Sequence, residues 1–207
     1  MKNKYPMVTF IDVKTVYIDE DVKIGDGTII EPNVTIKGKT SIGKNNLIGV
    51  SSVIEDMYIG NENVIRSSYL TNSFIEDSNN IGPFSHIRGD SKLLSFNNIG
   101  NFVELKKVTM GSNNNAKHLT YLGDALIGNY NNFGAGTIIA NYNSKTKVKS
   151  ICKIGNNVST GANCVLISPL NIKDNVTIAA GSVITKDVPK GCLAIARQRQ
   201  SNIENYS

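Results

Sequence analysis

Aliphatic residues recur at intervals of six along most of the chain. The first run is Ile18, Ile24, Ile30, Ile36, Ile42, Ile48 and Ile54, and the spacing returns with Ile75, Ile81, Ile87, Leu93, Ile99 and Leu105. A period of six fits neither an α-helix nor a hairpin meander, because turn-forming segments such as GDG and GKNN lie between the aliphatic residues. One aliphatic residue per hexad can point inward only if each hexad forms one face of a three-faced coil. The interval therefore predicts an all-β fold, a parallel β-helix of hexapeptide repeats.

Gly often follows the repeated aliphatic residue, and we expect Gly and Asn to supply positive φ at the corners of the coils. A coil cannot take in extra residues without losing its inward column, so insertions are expected to leave it as loops. Two segments break the spacing and are predicted as such excursions: Gly111–Leu126, which contains His118, and Asn141–Lys153, which is rich in Lys. The predicted boundaries are a lead-in at 1–17, the β-helix at 18–190 and a tail at 191–207.

Composition excludes several classes of protein. The net charge of +5 comes from scattered Lys residues without an aromatic platform, which argues against nucleic-acid binding. Apolar runs are too short for a membrane span, and the N-terminus lacks the apolar core of a signal peptide, so a cytoplasmic location is expected. Two His and three Cys without CxxC spacing predict no metal site and no disulfide. No Gly-rich phosphate loop follows a βα unit, so nucleotidyl transfer is not expected.

Four segments carry a more specific signal: IGPFSHIRGD, IGNFVELKKV, KHLTYLGDALIGNYNNFGAGTI and ANYNSKTKVK. In these segments, and in the closing AIARQRQSN, the chain resembles the acetyltransferase half of bacterial bifunctional N-acetylglucosamine-1-phosphate uridyltransferase/glucosamine-1-phosphate N-acetyltransferase. The resemblance covers roughly Met7 to the C-terminus. It implies a left-handed β-helix that forms homotrimers, with acetyl-CoA and a sugar phosphate bound between subunits and no metal needed for acetyl transfer.

The resemblance also implies roles for individual residues. His118 matches the general base, and imidazole suits that role at neutral pH. Glu104 would contact the imidazole. Residues that match positions at the sugar phosphate are Arg88, Lys106, Tyr121 and Asn132. Residues that match positions at acetyl-CoA are Ala135, Asn141, Tyr142, Lys147, Ala162, Ala180 and Arg197, with Arg199 as a neighbouring candidate. About two extra residues before Ile154 leave Lys145 and Lys149 as alternatives to Lys147.

Three departures from the family pattern bear on this site. Gly89 follows Arg88 where the family usually has Pro, which loosens the turn because Gly has more conformational entropy to lose. Ala162 stands where Ser is common, so only a backbone N–H would steady the developing oxyanion. Lys117 precedes His118 where many relatives have a small residue. His86 is expected to be structural.

The leading functional hypothesis is transfer of acetyl from acetyl-CoA to the amine of glucosamine-1-phosphate, which supplies cell-envelope precursors. One alternative is an N-acetyltransferase for a different amino sugar, including a nucleotide-linked one. A second is a non-catalytic β-helix that acts as the partner of a separately encoded uridyltransferase.

Overall fold

The computed structural model describes residues 3–206. The first two residues of the predicted lead-in and the last residue of the predicted tail lie outside this range. The strands, in chain order, are β1 Thr9–Phe10, β2 Tyr17–Ile18, β3 Lys23–Ile24, β4 Ile29–Ile30, β5 Thr35–Lys37, β6 Ser41–Ile42, β7 Leu47–Ile48, β8 Val53–Ile59, β9 Val64–Ile65, β10 Tyr69–Ile75, β11 Asn80–Ile81, β12 His86–Arg88, β13 Lys92–Leu93, β14 Asn98–Asn101, β15 Glu104–Met110, β16 Asn115–His118, β17 Tyr121–Ile127, β18 Asn132–Phe133, β19 Ile138–Ala140, β20 Tyr142–Asn143, β21 Val148–Lys149, β22 Cys152–Ile154, β23 Ser159–Thr160, β24 Val165–Ile167, β25 Leu170–Ile172, β26 Thr177–Ile178, β27 Val183–Ile184 and β28 Leu193–Ala194.

These strands form the three faces of a parallel coil. One face is the sheet β1-β4-β7-β9-β11-β14-β16-β18-β23-β26-β28, and a second follows β2-β5-β8-β10-β12-β15-β17-β19-β24-β27. The third face contains β3, β6, β13, β22 and β25 together with the ends of the longer strands. Apart from the strands at the ends of each face and the pair β20–β21, each strand pairs with the strands one coil before and one coil after it, which confirms the predicted solenoid. The neighbouring coils therefore hold each other through parallel ladders.

The inward positions form continuous aliphatic columns. Ile48, Ile65, Ile81 and Ile99 follow one another on the first face and are almost fully buried. Complete burial of such a side chain contributes about 1.5–3 kcal/mol. Cys152 and Cys164 are buried free thiols within the same core, so they take part in the packing.

The first predicted excursion is wrong, because Gly111–Leu126 lies within the regular coils. Ala116 and Leu122 occupy inward positions and are fully buried, and Ala116 pairs with Ile99 before it and with Phe133 after it. The spacing breaks because one residue is missing at a corner. Leu122 and Ile127 are five residues apart, and the seven-residue strand β17 runs through that corner. The same shortening occurs in β8, β10 and β15.

The second predicted excursion is confirmed. Between Phe133 and Thr160, which pair on adjacent coils, the chain has 27 residues, whereas the coil from Ala116 to Phe133 has 17. The extra residues form an antiparallel hairpin, in which Tyr142 pairs with Lys149 and Asn143 with Val148. This hairpin is the one pair of strands in residues 3–206 that departs from the parallel ladders.

Gly and Asn supply positive φ at many corners, as expected, but other residue types do so as well. Asn, Asp, Ser and even Phe adopt positive φ there, as Asn33, Asn113, Phe84 and Phe102 do. Most of the repeated Gly residues instead allow close approach between coils. A Cβ at Gly43 would lie 2.5 Å from the Gly60 carbonyl oxygen.

A ladder of buried Asn side chains joins successive coils, and the sequence analysis did not identify it. The Asn63 amide N–H donates to Asn46 Oδ1 at 2.8 Å, and the Asn79 N–H donates to Asn63 Oδ1 at the same distance. Asn97, Asn114 and Asn131 continue the ladder. The ladder satisfies buried backbone donors at the corner and so fixes the register of the coils.

The coils extend beyond the predicted bounds of 18 and 190. Thr9 pairs with Ile29 at one end, and Ala194 pairs with Ile178 at the other. The predicted lead-in therefore contributes a strand to the first coil, and the predicted tail contributes one to the last coil. Across the described range, no helix has the length and apolar character needed to cross a membrane.

Candidate active site

His118 is exposed at the last position of β16, at a corner of the coil and not on an excursion loop. Its strand is in register with β14, so that His118 lies beside Asn101. The imidazole Nδ1 is 3.1 Å from Asn101 Oδ1, and the main-chain N–H of Leu119 donates to the Asn101 carbonyl oxygen at 3.1 Å. The other ring nitrogen has no hydrogen-bonding partner among the described residues.

A column of small residues continues from His118 along the same corner. On the face that contains β16, Ala116 pairs with Phe133, Phe133 with Thr160 and Thr160 with Ile178. Residues two positions beyond these pairs fall in line with His118, and they are Ala135, Ala162 and Ala180. The column therefore presents little side-chain bulk. At its far end Arg197 Cδ lies 3.7 Å from the position of a Cβ built on Gly181.

A group of charged side chains lies on the other side of this corner. Arg88, Lys106 and Gly123 stand opposite each other on β12, β15 and β17. Arg88 forms an ion pair with Glu104, with Nε donating to Oε1 at 2.8 Å and Nη2 lying 2.5 Å from the same oxygen. Within the described residues, no hydrogen bond or ion pair joins Glu104 to His118; Glu104 is held by Arg88 and His118 by Asn101.

The hairpin adds a cation to this group. The Lys149 ammonium lies next to that of Lys106, and this contact, together with desolvation and the charge of Arg88, lowers the pKa of Lys106. Lys147 lies at the turn of the hairpin, where its φ is +60°. Of the three Lys residues left open by the sequence, Lys149 is therefore the one beside Lys106. Two adjacent ammonium groups beside Arg88 form a site suited to a dianion.

Tyr121 and Asn141 meet above Gly123. A Cβ on Gly123 would lie 2.4 Å from the Tyr121 hydroxyl and 2.8 Å from Asn141 Nδ2, so this arrangement requires Gly. The Asn141 amide also donates to the Asp124 carboxylate. Tyr121 is in register with Glu104, and the hydroxyl therefore lies at the edge of the charged group.

The remaining expected residues lie around these two groups. Asn132 is exposed on β18 and pairs with Asn115 and Ser159, on the face that leads to the His118 corner. Tyr142 is exposed at the base of the hairpin. His86 packs against Tyr69 with ring centroids 5.2 Å apart, and burial lowers the pKa of His86. The sequence analysis missed Asn101, Asp124 and the position of Lys149. A coil length of 17 residues, had it been recognised, would have paired Asn101 with His118.

Apolar side chains are exposed at the His118 corner. Phe84, Phe102 and Leu119 occupy equivalent positions on three successive coils, and each is about 60% exposed. The rings of Phe84 and Phe102 stack with centroids 5.6 Å apart. An exposed apolar row of this kind beside a functional group is typical of an interaction surface.

Proteins of known sequence match almost the whole chain. It is 47% identical over 200 residues to the bifunctional protein GlmU of Synechococcus elongatus, a match that covers 97% of this chain and 44% of the relative. The bifunctional protein GlmU of Clostridium botulinum is 46% identical over 199 residues. The chain thus spans less than half the length of these relatives. Family models also match, the GMPPB C-terminal domain over residues 13–93 and the bacterial transferase hexapeptide repeats over residues 151–186.

Solved structures support the fold. The UDP-N-acetylglucosamine O-acyltransferase LpxA from Moraxella catarrhalis superposes with a TM-score of 0.58 at 20% identity, over 88% of this chain and 70% of that one. LpxA from Bacteroides fragilis gives a TM-score of 0.56 at 20% identity, over 87% and 69%. The fold is accordingly a left-handed parallel β-helix. In residues 3–206, no three His, Cys, Asp or Glu side chains are grouped so as to hold a metal ion. Because the match takes in almost the whole chain but less than half of each GlmU relative, the chain is similar to one half of those proteins, the C-terminal acetyltransferase half, which carries hexapeptide repeats.

Proposed function

We propose that the protein transfers acetyl from acetyl-CoA to the amine of glucosamine-1-phosphate. In this reaction the amine nitrogen forms a bond to the thioester carbonyl carbon, and the carbon–sulfur bond breaks. The nitrogen loses a proton and the coenzyme A thiolate gains one. The observation that carries the proposal is the position of His118, which lies in line with a column of small residues and next to the face that carries the cationic group.

His118 would take the proton from the attacking nitrogen. Its Nδ1 faces Asn101, which leaves Nε2 as the nitrogen available to a substrate. General-base catalysis of this kind contributes about 10²–10⁴-fold to a rate. His118 would then return the proton to the leaving sulfur.

The cationic group would hold the phosphate of the acceptor. Arg88 offers a planar guanidinium, while Lys106 and Lys149 offer two ammonium groups on adjacent elements. Three cations suit a phosphate monoester that carries close to two negative charges. Tyr121 and Asn132 would contribute a hydroxyl and an amide to the sugar.

Acetyl-CoA would lie along the column of Ala135, Ala162 and Ala180. Its extended pantetheine arm needs a groove without bulky side chains, and its phosphates need cations at the far end, where Arg197 lies. Asn141, Tyr142 and Lys147 would line the same cofactor from the hairpin side. We propose no metal in the transfer, and a cytoplasmic site of action belongs to the same proposal.

The protein would act as a homotrimer. The apolar row of Phe84, Phe102 and Leu119 lies beside the candidate base, and a second copy docked there would cover the row and enclose the column of small residues. Closed rotational symmetry is the usual arrangement of identical chains that bury one patch against another.

Release of coenzyme A thiol by the purified protein tests the proposal. We expect turnover with glucosamine-1-phosphate, little turnover with glucosamine, and a loss of at least 100-fold in kcat for His118→Ala. The matched variant His86→Gln alters the other His of the chain and should retain most of the activity. Equal activity with nucleotide-linked amino sugars would favour a different acceptor, and the absence of any acetyl-CoA binding by calorimetry would favour a scaffold.

A further inference from the structure

The structure holds His118 through one neighbouring side chain. Asn101 ends β14 and pairs with His118 at the end of β16. Asn101 Oδ1 lies 3.1 Å from His118 Nδ1. An amide oxygen can only accept a hydrogen bond, so this contact requires the proton to be on Nδ1.

The backbone around the ring is fixed by two further hydrogen bonds and by a close approach between two strands. The Leu119 N–H donates to the Asn101 carbonyl oxygen at 3.1 Å, and Thr120 Oγ1 donates to the His118 carbonyl oxygen at 2.7 Å. A Cβ on Gly100 would lie only 2.0 Å from the Lys117 carbonyl oxygen. The absence of a side chain at position 100 therefore lets β14 approach β16 closely enough for Asn101 to reach the imidazole.

The charged neighbours of the ring are few. Neither β14 nor β18, the strands paired with β16, carries a charged residue. Lys117 precedes His118 on β16, and the Glu104 carboxylate across the corner is occupied by Arg88. A neutral amide, and not a carboxylate, is therefore the group that contacts Nδ1.

We infer that Asn101 is a positioning residue that fixes His118 in the tautomer protonated at Nδ1, and so presents Nε2 as the base. This inference rests on the proposed function. A neutral acceptor orients the ring and selects the tautomer without adding charge beside the base. The imidazole is then free to lose its transferred proton to the leaving sulfur.

Asn101→Leu removes the acceptor at similar size, and Asn101→Asp keeps the acceptor but adds a negative charge. For Asn101→Leu we expect kcat to fall about tenfold or more, which is a part of the rate enhancement that general-base catalysis contributes. The KM values for acetyl-CoA and for the acceptor should change little. For Asn101→Asp we expect substantial activity, with the acid limb of the kcat/KM profile moved to higher pH because a carboxylate stabilises imidazolium. Asn157→Asp adds the same charge at a different corner and should leave the profile in place.

A ¹⁵N NMR spectrum of the imidazole nitrogens gives a readout independent of turnover. In a His86→Gln background the remaining ring signals belong to His118. We expect the tautomer protonated at Nδ1 to be the dominant one, and we expect its population to fall in Asn101→Leu. An unchanged tautomer, or an unchanged kcat in a folded Asn101→Leu protein, overturns the inference. If the unmodified protein releases no coenzyme A, the proposed function fails, whereas the bond from Nδ1 to Asn101 is still judged by the spectrum.

Discussion

Single residues decide the electrostatics of the proposed phosphate site. Lys106 has a lowered pKa because the Lys149 ammonium lies beside it, with desolvation and Arg88 adding to the effect. A Lys with a lowered pKa loses its charge at a lower pH than an ordinary Lys. Binding of the acceptor phosphate should therefore weaken as pH rises through that lowered value, while the phosphate itself remains a dianion.

The change Lys149→Met tests this arrangement. Near pH 7 we expect KM for the acceptor to rise about tenfold, the equivalent of one charge-assisted hydrogen bond of about 1.5 kcal/mol. We also expect the alkaline limb of 1/KM to move to higher pH, since the main causes of the lowered pKa are removed. Steady-state kinetics from pH 6 to about 10 measures both, with the exposed and remote Lys39→Met as control. A shift to lower pH would contradict the assignment.

At the scale of elements, the hairpin of β20 and β21 is an addition to a coil that is otherwise regular. The Ser150 N–H donates to the Asn141 carbonyl oxygen at 2.9 Å and closes the base of the hairpin. Removal of residues 142–150 would leave 18 residues between Phe133 and Thr160, the length of the coil from Ile81 to Ile99.

Deletion of residues 142–150 should leave the β-helix folded and the site inactive. The ladders on both sides of the hairpin pair strands outside it, so we expect the far-UV circular dichroism spectrum to be retained. We expect kcat/KM to fall more than 100-fold, because Tyr142, Lys147 and Lys149 are lost together. Loss of cooperative thermal unfolding would show instead that the hairpin is required for folding.

Some of these elements could be predicted from the sequence and others could not. The six-residue interval predicts the coil because each hexad must bury one aliphatic side chain, and it locates the hairpin because extra residues cannot stay inside. It fails at Gly111–Leu126, where Ala116 fills an inward position and a corner lacks one residue. It likewise did not identify Asn101 as the partner of His118, because that pairing depends on the register between coils.

At the scale of the whole molecule, the exposed row of Phe84, Phe102 and Leu119 predicts assembly. We expect multi-angle light scattering to give three times the 22.4 kDa of one chain. Phe102→Glu should shift the mass toward that of the monomer and lower activity at least tenfold, because a buried charge would have no partner. The aromatic Phe96 is equally exposed on a different corner, and Phe96→Glu should leave the mass unchanged. A monomeric mass for the unmodified protein would contradict the proposed assembly.

Because the coils stack at a constant spacing, the number of coils between two residues sets their distance along the molecule. Adjacent parallel strands lie about 4.8 Å apart, so His118, Ala135, Ala162 and Ala180 mark three equal steps, and Arg197 lies about one step further on. The distance from the imidazole to that guanidinium is thus set by how many coils separate them. Inserting one complete coil into this stretch would lengthen the column by a single step and favour an acyl carrier with a correspondingly longer arm.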